Sequence, residues 1–479
     1  SYQSKEQQKK LIPQLPSSSS MESLGGGDKK GKRLILFPLP LQGHINPMLQ
    51  LASILHGRGF SITIIHTHFN SPTPSNYPHF TFHPIPQGIS VPEINRWLSR
   101  DLTAPLIHLN LTCVEPFKEA LAKWVSPRES VGCLITDAAW YFTQEVADRV
   151  GIPRVVLRPL SVSTFIVYDA LPLLRDQGYL PIKETKLEEP VPGFPPLRVK
   201  DLPEMKPIEN PEDFPSLISN MLASIKASSG LIYNSCQDLE QDALNKCNEV
   251  FPGVPIFHIG PFHKHFQADS SSNSLFEADQ SSISWLDTQE HKSVLYVSFG
   301  SLAATSEEHF LEIAWALKNS NQPFLWVVRP GSVHGSNWLG PLPDGFEHAT
   351  ADTGRIVKWT PQEKVLAHPA TGGFWTHCGW NSVLESVSEG VPMICHPSFG
   401  DQMINARYVS DVWRAGVHLE NKLERGEIEG VIKRLMIEKE GEEIRDNVVF
   451  LKGKLGVCLN HGGSSYQSLD GLVSLIMSF

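Results

Sequence analysis

The stretch of residues 359–402 constrains the fold of this chain more than any other part of its sequence. Residues 372–376 (GGFWT) are short, apolar and aromatic, which predicts a buried strand. Residues 377–379 follow as a tight turn, and residues 380–389 are predicted to form a helix. A buried strand that runs through a tight turn into a helix is typical of parallel α/β folds.

The turn between this strand and helix is suited to bind a diphosphate. A helix N-terminus, here near the capping residues Asn381 and Ser382, presents free backbone N–H groups and a partial positive charge. Gly379 lets a ligand approach the backbone closely, and His377 adds a hydrogen-bond donor. Glu385 lies four residues after Asn381 on the same helix face, where its carboxylate can accept hydrogen bonds from vicinal sugar hydroxyls. We therefore expect a phosphorylated ligand that carries a sugar.

This stretch resembles the signature box of the plant secondary-product glycosyltransferases, which use uridine-diphosphate (UDP) sugars. The residues that stand at the family's places are Trp359, Pro361, Gln362, Leu366, His368, Gly372, Phe374, His377, Cys378, Gly379, Trp380, Asn381, Ser382, Glu385, Gly390, Val391, Pro392, Pro397, Asp401 and Gln402. Val383 stands where threonine is commoner. The sequences of residues 37–47, 133–142 and 405–413 are most similar to those of the subgroup of steviol-glycoside and cytokinin glucosyltransferases.

The resemblance implies roles for the donor-binding residues. They would hold the uracil and ribose (Trp359, Thr360 and Gln362), the ribose hydroxyls (Glu385), the diphosphate (Ser301, His377, Asn381 and Ser382) and the sugar (Trp380, Asp401 and Gln402). Gln402 together with Trp380 points in this family to glucose rather than galactose. UDP-glucose is thus expected as co-substrate, with no metal or other cofactor, in keeping with the lack of a DxD carboxylate pair near the phosphate motifs.

His44 is the predicted general base. Residues 33–37 (RLILF) predict a buried strand, and we expect His44 in the loop at its carboxyl end, with Pro47 opening a helix. Ligands of open α/β sheets bind outside these strand ends, which favours a catalytic role over a histidine packed there by chance. Gly43 has no GxGxxG companions, so a dinucleotide fingerprint is disfavoured.

Asp137 is the predicted partner of this histidine. It follows the buried strand predicted over residues 132–136, so it lies, like His44, at the carboxyl end of a strand. A carboxylate there can accept the second imidazole N–H, fix the tautomer and stabilise the imidazolium. Capping of the following helix is the alternative, and the two roles are compatible. The resemblance implies that the two residues pair.

The strand–helix alternation runs through the chain twice, which predicts an α/β fold of two facing doubly wound (Rossmann-like) domains with parallel sheets. The resembling family has this architecture, called GT-B. We expect an N-terminal acceptor-binding domain over residues 30–255, a linker over 256–285 and a UDP-sugar-binding domain over 286–460. The resemblance adds a C-terminal helix, residues 461–479, packed back on the first domain, and residues 1–29 are expected to be a disordered leader.

Composition disfavours several other classes of function. The formal net charge of -10, without a basic stripe, argues against nucleic-acid binding, and no apolar run approaches a membrane-spanning length. The seven cysteines are scattered and form no CxxC pair, which predicts free thiols rather than a zinc site or disulfides. A cytoplasmic, monomeric protein is expected.

The resemblance implies inverting transfer of glucose to a hydroxyl of a lipophilic plant molecule such as a terpenoid, a flavonoid or another phenolic, giving a β-O-glucoside. The acceptor pocket is expected to come from residues 77–111, 140–141 and 161–174. N- or ester-linked glucosylation on the same scaffold is an alternative. A UDP-sugar-binding protein without turnover is another, and the intact His44 and Asp137 argue against it.

Overall fold

The computed structural model describes residues 31–98, 102–125, 131–203, 210–266, 277–335, 338–339, 342–420 and 423–479. Within these residues the strands form one parallel sheet of seven strands and one of six. The predicted class, two doubly wound α/β domains, is therefore confirmed.

The first sheet has the strand order β3-β2-β1-β4-β5-β6-β7. Its strands are β1 (Arg33–Phe37), β2 (Ser61–Thr67), β3 (Thr81–Ile85), β4 (Val131–Asp137), β5 (Arg154–Arg158), β6 (Gly230–Tyr233) and β7 (Ile256–His258). Its helices are α1 (Gln42–Gly57), α2 (Val91–Leu98), α3 (Thr103–Thr112), α4 (Val114–Trp124), α5 (Thr143–Val150), α6 (Val162–Asp176), α7 (Asp213–Lys226) and α8 (Gln237–Val250).

The second sheet has the order β10-β9-β8-β11-β12-β13. Its strands are β8 (Val294–Ser298), β9 (Phe324–Val327), β10 (Gly354–Val357), β11 (Thr371–Thr376), β12 (Met393–Cys395) and β13 (Gly416–His418). The helices from here on are α9 (Ser281–Leu286), α10 (Glu307–Asn319), α11 (Phe346–Ala349), α12 (Gln362–Ala367), α13 (Trp380–Glu389), α14 (Gln402–Arg407), α15 (Arg425–Met436), α16 (Lys439–Leu459) and α17 (Ser464–Ser478).

Both sheets are covered by helices on both faces, which explains their continuous apolar strands. Leu34 and Leu36 of β1 pack into one core cluster, whereas Ile35 and Phe37 pack into another on the opposite face. The successive residues of β8 divide between two clusters in the same way. Alternation of side chains along a strand therefore places apolar residues in a core on either side.

The first domain includes the strand β7 and the last helix of the chain, α17. β7 hydrogen-bonds to β6, so this sheet reaches His258 and the boundary predicted at residue 255 is three residues too early. The side chains of Leu469, Leu472 and Ile476 in α17 are buried in the same cluster as β1. The predicted leader, residues 1–29, and residues 267–276 of the predicted linker lie outside the described residues.

The order of each sheet reverses at its centre, and both reversals lie at the cleft between the domains. In the first sheet β1 and β4 are neighbours, with Phe37 in register with Thr136. In the second sheet β8 and β11 are neighbours, with Ser298 in register with Thr376. The carboxyl ends of strands at such a switch point form the crevice in which α/β proteins bind ligands.

A buried ion pair joins the domains below this cleft. The guanidinium of Arg407, which ends α14, lies 3.0 Å from the carboxylate of Asp201 in the first domain, and both side chains are almost fully buried. The carboxylate of Glu420 accepts a second hydrogen bond from Arg407 at 2.8 Å. Asp411 accepts from the same guanidinium at 3.4 Å, so three carboxylates satisfy it, and the contact with Asp201 fixes the relative position of the domains at this point.

Candidate active site

His44 lies in the first turn of α1, not in a loop as expected. The helix begins at Gln42, and Pro47 stands inside it rather than at its start. The Nδ1 atom of His44 lies 2.7 Å from Oδ2 of Asp137, and the exposed fractions of the two side chains are 17% and 0%. The imidazole thus borders the cleft, while the carboxylate lies behind it.

Asp137 faces His44, whereas the alternative role of capping the following helix is wrong, because α5 begins at Thr143 with Phe142 as its N-cap residue. Asp137 is the last residue of β4, and its Oδ1 accepts a hydrogen bond from the backbone N–H of Ala139 at 2.9 Å. Its Oδ2 faces His44. One carboxylate oxygen therefore fixes the turn after the strand, and the other is left for the imidazole.

Pro47 gives α1 a free backbone carbonyl at the cleft. A proline has no N–H, so the carbonyl four residues earlier, that of Gly43, has no partner within the helix. The side-chain amide of Asn381 donates to this carbonyl at 2.9 Å. The helix that carries the predicted base is thereby hydrogen-bonded to the helix that carries the predicted diphosphate site.

The predicted diphosphate turn is built around His377. Gly300 has φ +76°, and a Cβ atom there would lie 2.6 Å from the imidazole ring. A Cβ at Gly379 would lie 2.5 Å from Nε2 of the same ring. Glycine at both positions therefore leaves the space that the imidazole occupies. Ser301 follows at the same turn and lines the cleft.

The imidazole of His377 is neutral at physiological pH. Burial lowers its pKa to about 4, and its Nδ1 atom is buried without a hydrogen-bond partner among the described residues. The N-cap of α13 is Gly379, with no side-chain cap, so neither Asn381 nor Ser382 caps the helix. The first turn of α13 lines the cleft through Trp380, Asn381 and Ser382, and the N–H groups of a first turn have no partners within the helix, so the anion site stays a prediction.

A buried hydrogen-bond network links the residues predicted to hold the ribose. The amide of Gln362 donates to Ser382 at 2.9 Å and to Glu385 at 2.6 Å. The hydroxyl of Tyr296 donates to Oε1 of Gln362 at 3.1 Å and lies 2.8 Å from the hydroxyl of Thr360. Tyr296 was not predicted, because a tyrosine inside an apolar strand is typical of a core residue.

The carboxyl group of Glu385 has an unusual protonation equilibrium. Burial, and in second place the charge of Glu363, raise the pKa of Glu385 to about 8, against an ordinary value of 4.5. In the free protein at neutral pH this carboxyl group is therefore mostly protonated. Hydrogen-bond donors from a ligand would favour its ionised form.

The three residues predicted to contact the sugar differ in what they offer. The indole N–H of Trp380 donates to the carbonyl of Asn234 at 2.7 Å, which leaves its ring and backbone N–H for a ligand. Asp401 is held by the amide of Asn405 at 2.8 Å, and burial raises its pKa. Oε1 of Gln402 accepts from the backbone N–H of residue 398 at 2.9 Å, which leaves its NH₂ group without an acceptor among the described residues.

One cleft of about 660 Å³ contains all these features. Its lining includes His44 and every predicted donor-binding residue: Ser301, Trp359, Thr360, Gln362, His377, Trp380, Asn381, Ser382, Glu385, Asp401 and Gln402. Asp137 is not at its surface, since His44 separates it from the cleft.

The acceptor side of the cleft differs from the expectation. Trp140 is fully buried, stacks on Phe37 and donates its indole N–H to the carbonyl of Pro38, so it belongs to the core. Tyr77 packs with a cluster behind the sheet. Leu106 of α3 and Tyr168 of α6, both within the predicted ranges, do line the cleft. Four lining residues of α7 were not predicted, which are Phe214, Leu217, Ile218 and Met221.

Comparison with known proteins decides the family. A family model described as "UDP-glucoronosyl and UDP-glucosyl transferase" matches residues 264–452. UDP-glycosyltransferase 76B1 of Arabidopsis thaliana is 51% identical over 446 residues, which cover 93% of this chain and 98% of that protein. This chain belongs to the plant UDP-glycosyltransferase family. The glycosyltransferase is also 49% identical to UDP-glycosyltransferase 76G1 of Stevia rebaudiana over 469 residues, 94% of this chain and 98% of the relative.

Solved structures agree with this family and confirm the GT-B fold. The structure of Phytolacca americana UGT2 complexed with UDP-2fluoro-glucose and pterostilbene matches the glycosyltransferase with a TM-score of 0.79 at 27% identity. The match covers 93% of this chain and 100% of that one. The predicted family and its enzyme class, a glycosyltransferase that uses UDP-sugars, are therefore confirmed.

Two absences hold for the part of the glycosyltransferase that the structure describes. In this part, no group of three or more histidine, cysteine, aspartate and glutamate residues is arranged to hold a metal ion. Nor does any helix within the described ranges have the length and apolar character needed to cross a membrane.

Proposed function

We propose that this enzyme transfers glucose from UDP-glucose to a hydroxyl group of a small lipophilic molecule, with inversion at the anomeric carbon. The observation that carries the proposal is the contact of 2.7 Å between His44 and Asp137 beside the donor-binding residues. A base and a donor site within one cleft are what a single displacement requires.

His44 acts as the general base. With Nδ1–H donated to the Asp137 carboxylate, the lone pair of Nε2 is free to accept the proton of the acceptor hydroxyl. The imidazolium that forms is stabilised by the buried carboxylate. The acceptor oxygen then forms a bond to the anomeric carbon from the face opposite UDP, the bond from that carbon to the diphosphate oxygen breaks, and a β-glucoside results.

The leaving group departs into the turn before α13. Negative charge grows on the diphosphate as the glycosidic bond breaks, and the free N–H groups of the helix N-terminus favour that charge. His377 is neutral, so it contributes a hydrogen bond rather than a full positive charge. The anion is thus stabilised by dipoles that are fixed before the reaction begins.

The acceptor binds on the side of the cleft formed by α3, α6 and α7. Leu106, Leu217 and Ile218 supply apolar walls there, which suit a flat or bulky lipophilic molecule. The pterostilbene bound by the Phytolacca americana relative is a molecule of this kind. The UDP-2fluoro-glucose in the same complex supports glucose as the transferred sugar.

The test is the His44→Ala variant, assayed with UDP-glucose and neutral phenols, with UDP binding measured by calorimetry. We expect O-glucosylation to fall by about 10²–10⁴-fold, the range for a lost general base, with the dissociation constant of UDP unchanged. Turnover of phenols at the wild-type rate would contradict the assignment of the base. With an acceptor that carries a carboxylate as well as a hydroxyl, a product that alkali hydrolyses would instead indicate an ester-linked glucoside.

A further inference from the structure

Arg158 is a buried cation at the acceptor side of the cleft, and the mechanism above does not use it. It is the last residue of β5, next in the sheet to β4, which ends at Asp137. Only 3% of its surface is exposed, yet it lines the cleft. Arginine is seldom buried to this extent unless an anion pairs with it.

No carboxylate among the described residues pairs with Arg158 at ion-pair distance. Its Nη1 group donates to the sulfur of Met221 at 3.3 Å, which is a weak acceptor. Its Nε atom is buried and has no hydrogen-bond partner within the described ranges. The rings of Phe165 and Tyr168 each lie 5.4 Å from the guanidinium carbon, so aromatic faces hold the cation in place. The buried carboxylate of Asp401, in the same cleft, interacts with the charge of Arg158 only from beyond ion-pair distance.

Two other buried arginines, unlike Arg158, have oxygen acceptors for their guanidinium groups. Arg407 is buried to a similar degree, and three carboxylates bind it. Arg154, four residues earlier on the same strand, donates to Thr136, Gln144 and Ser224. A guanidinium that is equally buried but lacks such acceptors is costly in the free protein, which indicates that a ligand supplies the missing acceptor.

We propose that Arg158 binds a carboxylate of the acceptor, so that the preferred substrates are lipophilic hydroxy acids. The inference rests on the proposed function, since the hydroxyl of the same molecule must reach His44. β1 and β5 are separated by one strand, so their ends are on the order of 10 Å apart. The acceptor therefore carries its hydroxyl and its carboxylate at opposite ends of an apolar body.

The diphosphate of the donor is the other anion in the cleft, and it fits Arg158 less well. The turn around His377 and the first turn of α13 belong to the second domain, whereas Arg158 is surrounded by α6 and α7 of the first. The side chains in contact with Arg158 in the cleft, Tyr168 and Met221, are suited to an acceptor. The carboxylate stays intact in the reaction, because the hydroxyl oxygen attacks the sugar.

The test compares a hydroxycinnamic acid that carries a para-hydroxyl with its methyl ester as acceptors. For the wild type and Arg158→Gln, kcat/KM is measured with each acceptor, and the acid-to-ester ratio is the readout. Losing one partner of a buried charge pair predicts that this ratio falls by about 30-fold or more. Arg175→Gln is the matched control: Arg175 is exposed, pairs with Glu212 and lies outside the cleft, so its ratio should equal that of the wild type.

Three outcomes would overturn the inference. An equal loss with both acceptors in folded Arg158→Gln would make the residue structural, and a weaker affinity for UDP in that variant would assign it to the donor phosphates. A wild type that prefers the ester would also contradict it. If the wild type binds UDP but glucosylates neither acceptor nor any neutral phenol, the proposed function itself fails, and this inference fails with it.

Inhibition gives a second readout that does not depend on turnover of the variant with the acid. The acid should inhibit glucosylation of the ester competitively in the wild type, and Arg158→Lys, which retains the charge but not the planar fork, should keep part of this inhibition. Arg158→Gln should lose it. Equal inhibition in all three proteins would refute a carboxylate site at this residue.

Discussion

Replacing Asp137 by asparagine tests how much of the catalysis depends on the buried carboxylate. An asparagine can still accept the backbone N–H of Ala139 through Oδ1, so the turn after β4 should persist. Its NH₂ group then faces Nδ1 of His44, which can only accept from it. The imidazole must carry its proton on Nε2, and that nitrogen can no longer accept the proton of the acceptor.

The size of the effect follows from the contact. Since Nδ1 and Oδ2 are 2.7 Å apart, the charge centres of an imidazolium and the carboxylate lie about 4 Å apart. At an effective dielectric constant near 20 this pair is worth about 4 kcal/mol, which corresponds to about a 10³-fold change in rate. The estimate applies because the carboxylate is fully buried and the imidazole is only 17% exposed.

The assay is kcat at saturating UDP-glucose and a neutral phenol, with UDP binding and thermal unfolding measured in parallel. Asp137→Asn should lose about 10³-fold in kcat and keep its affinity for UDP. Asp148→Asn makes the same chemical change on the exposed face of α5 and should behave as the wild type. A kcat for Asp137→Asn within a few-fold of the wild type would refute the pairing of base and carboxylate.

Two further predictions concern the donor side, and a third concerns the stability of the second domain. Binding of UDP near pH 7.5 should release a proton from Glu385, because hydroxyl donors of the ligand lower the pKa of this carboxyl group, which burial has raised to about 8. Calorimetry in buffers of different ionisation enthalpy measures this release, which should be absent in Glu385→Gln. Gly300→Ala should weaken UDP binding by roughly tenfold or more by displacing His377, whereas Gly331→Ala, at a similar positive φ but in open space, should not. Burial lowers the pKa of His396 from 6.5 to about 4, so the stability that the neutral ring contributes above pH 6.5 is lost as pH falls toward 4. In urea unfolding, the free energy of unfolding of the wild type should exceed that of His396→Gln by about 1–2 kcal/mol less at pH 5 than at pH 7. A difference that is equal at both pH values would contradict the last of these.

The donor site could be predicted because its residues are close together in the sequence. The strand β11, the turn and the helix α13 form one continuous unit, and the predicted helix over residues 380–389 has the observed bounds. Local rules for strands, glycines and helix starts apply within such a unit. Tyr296 was missed, since it reaches the site from β8 by tertiary packing.

The acceptor side could not be predicted in the same way. Its walls come from elements that are distant in the sequence, and α7 meets α3 and α6 only in the folded protein. Trp140 was expected there because it follows Asp137, yet its indole lies in the core. Arg158 ends an apolar strand and gives no sign in the sequence that its charge lacks a partner.

The predicted start of α1 was wrong, and the reason concerns the contact between α1 and the candidate active site. Proline is favoured in the first turn of a helix, so Pro47 indicated a start later than Gln42. A proline deeper in a helix costs one hydrogen bond unless another donor takes the carbonyl it frees, and here Asn381 is that donor. A single contact of 2.9 Å therefore satisfies the defect in α1 and ties His44 to the helix predicted to hold the diphosphate. The local irregularity in α1 and the contact between the two domains are thus linked through one hydrogen bond.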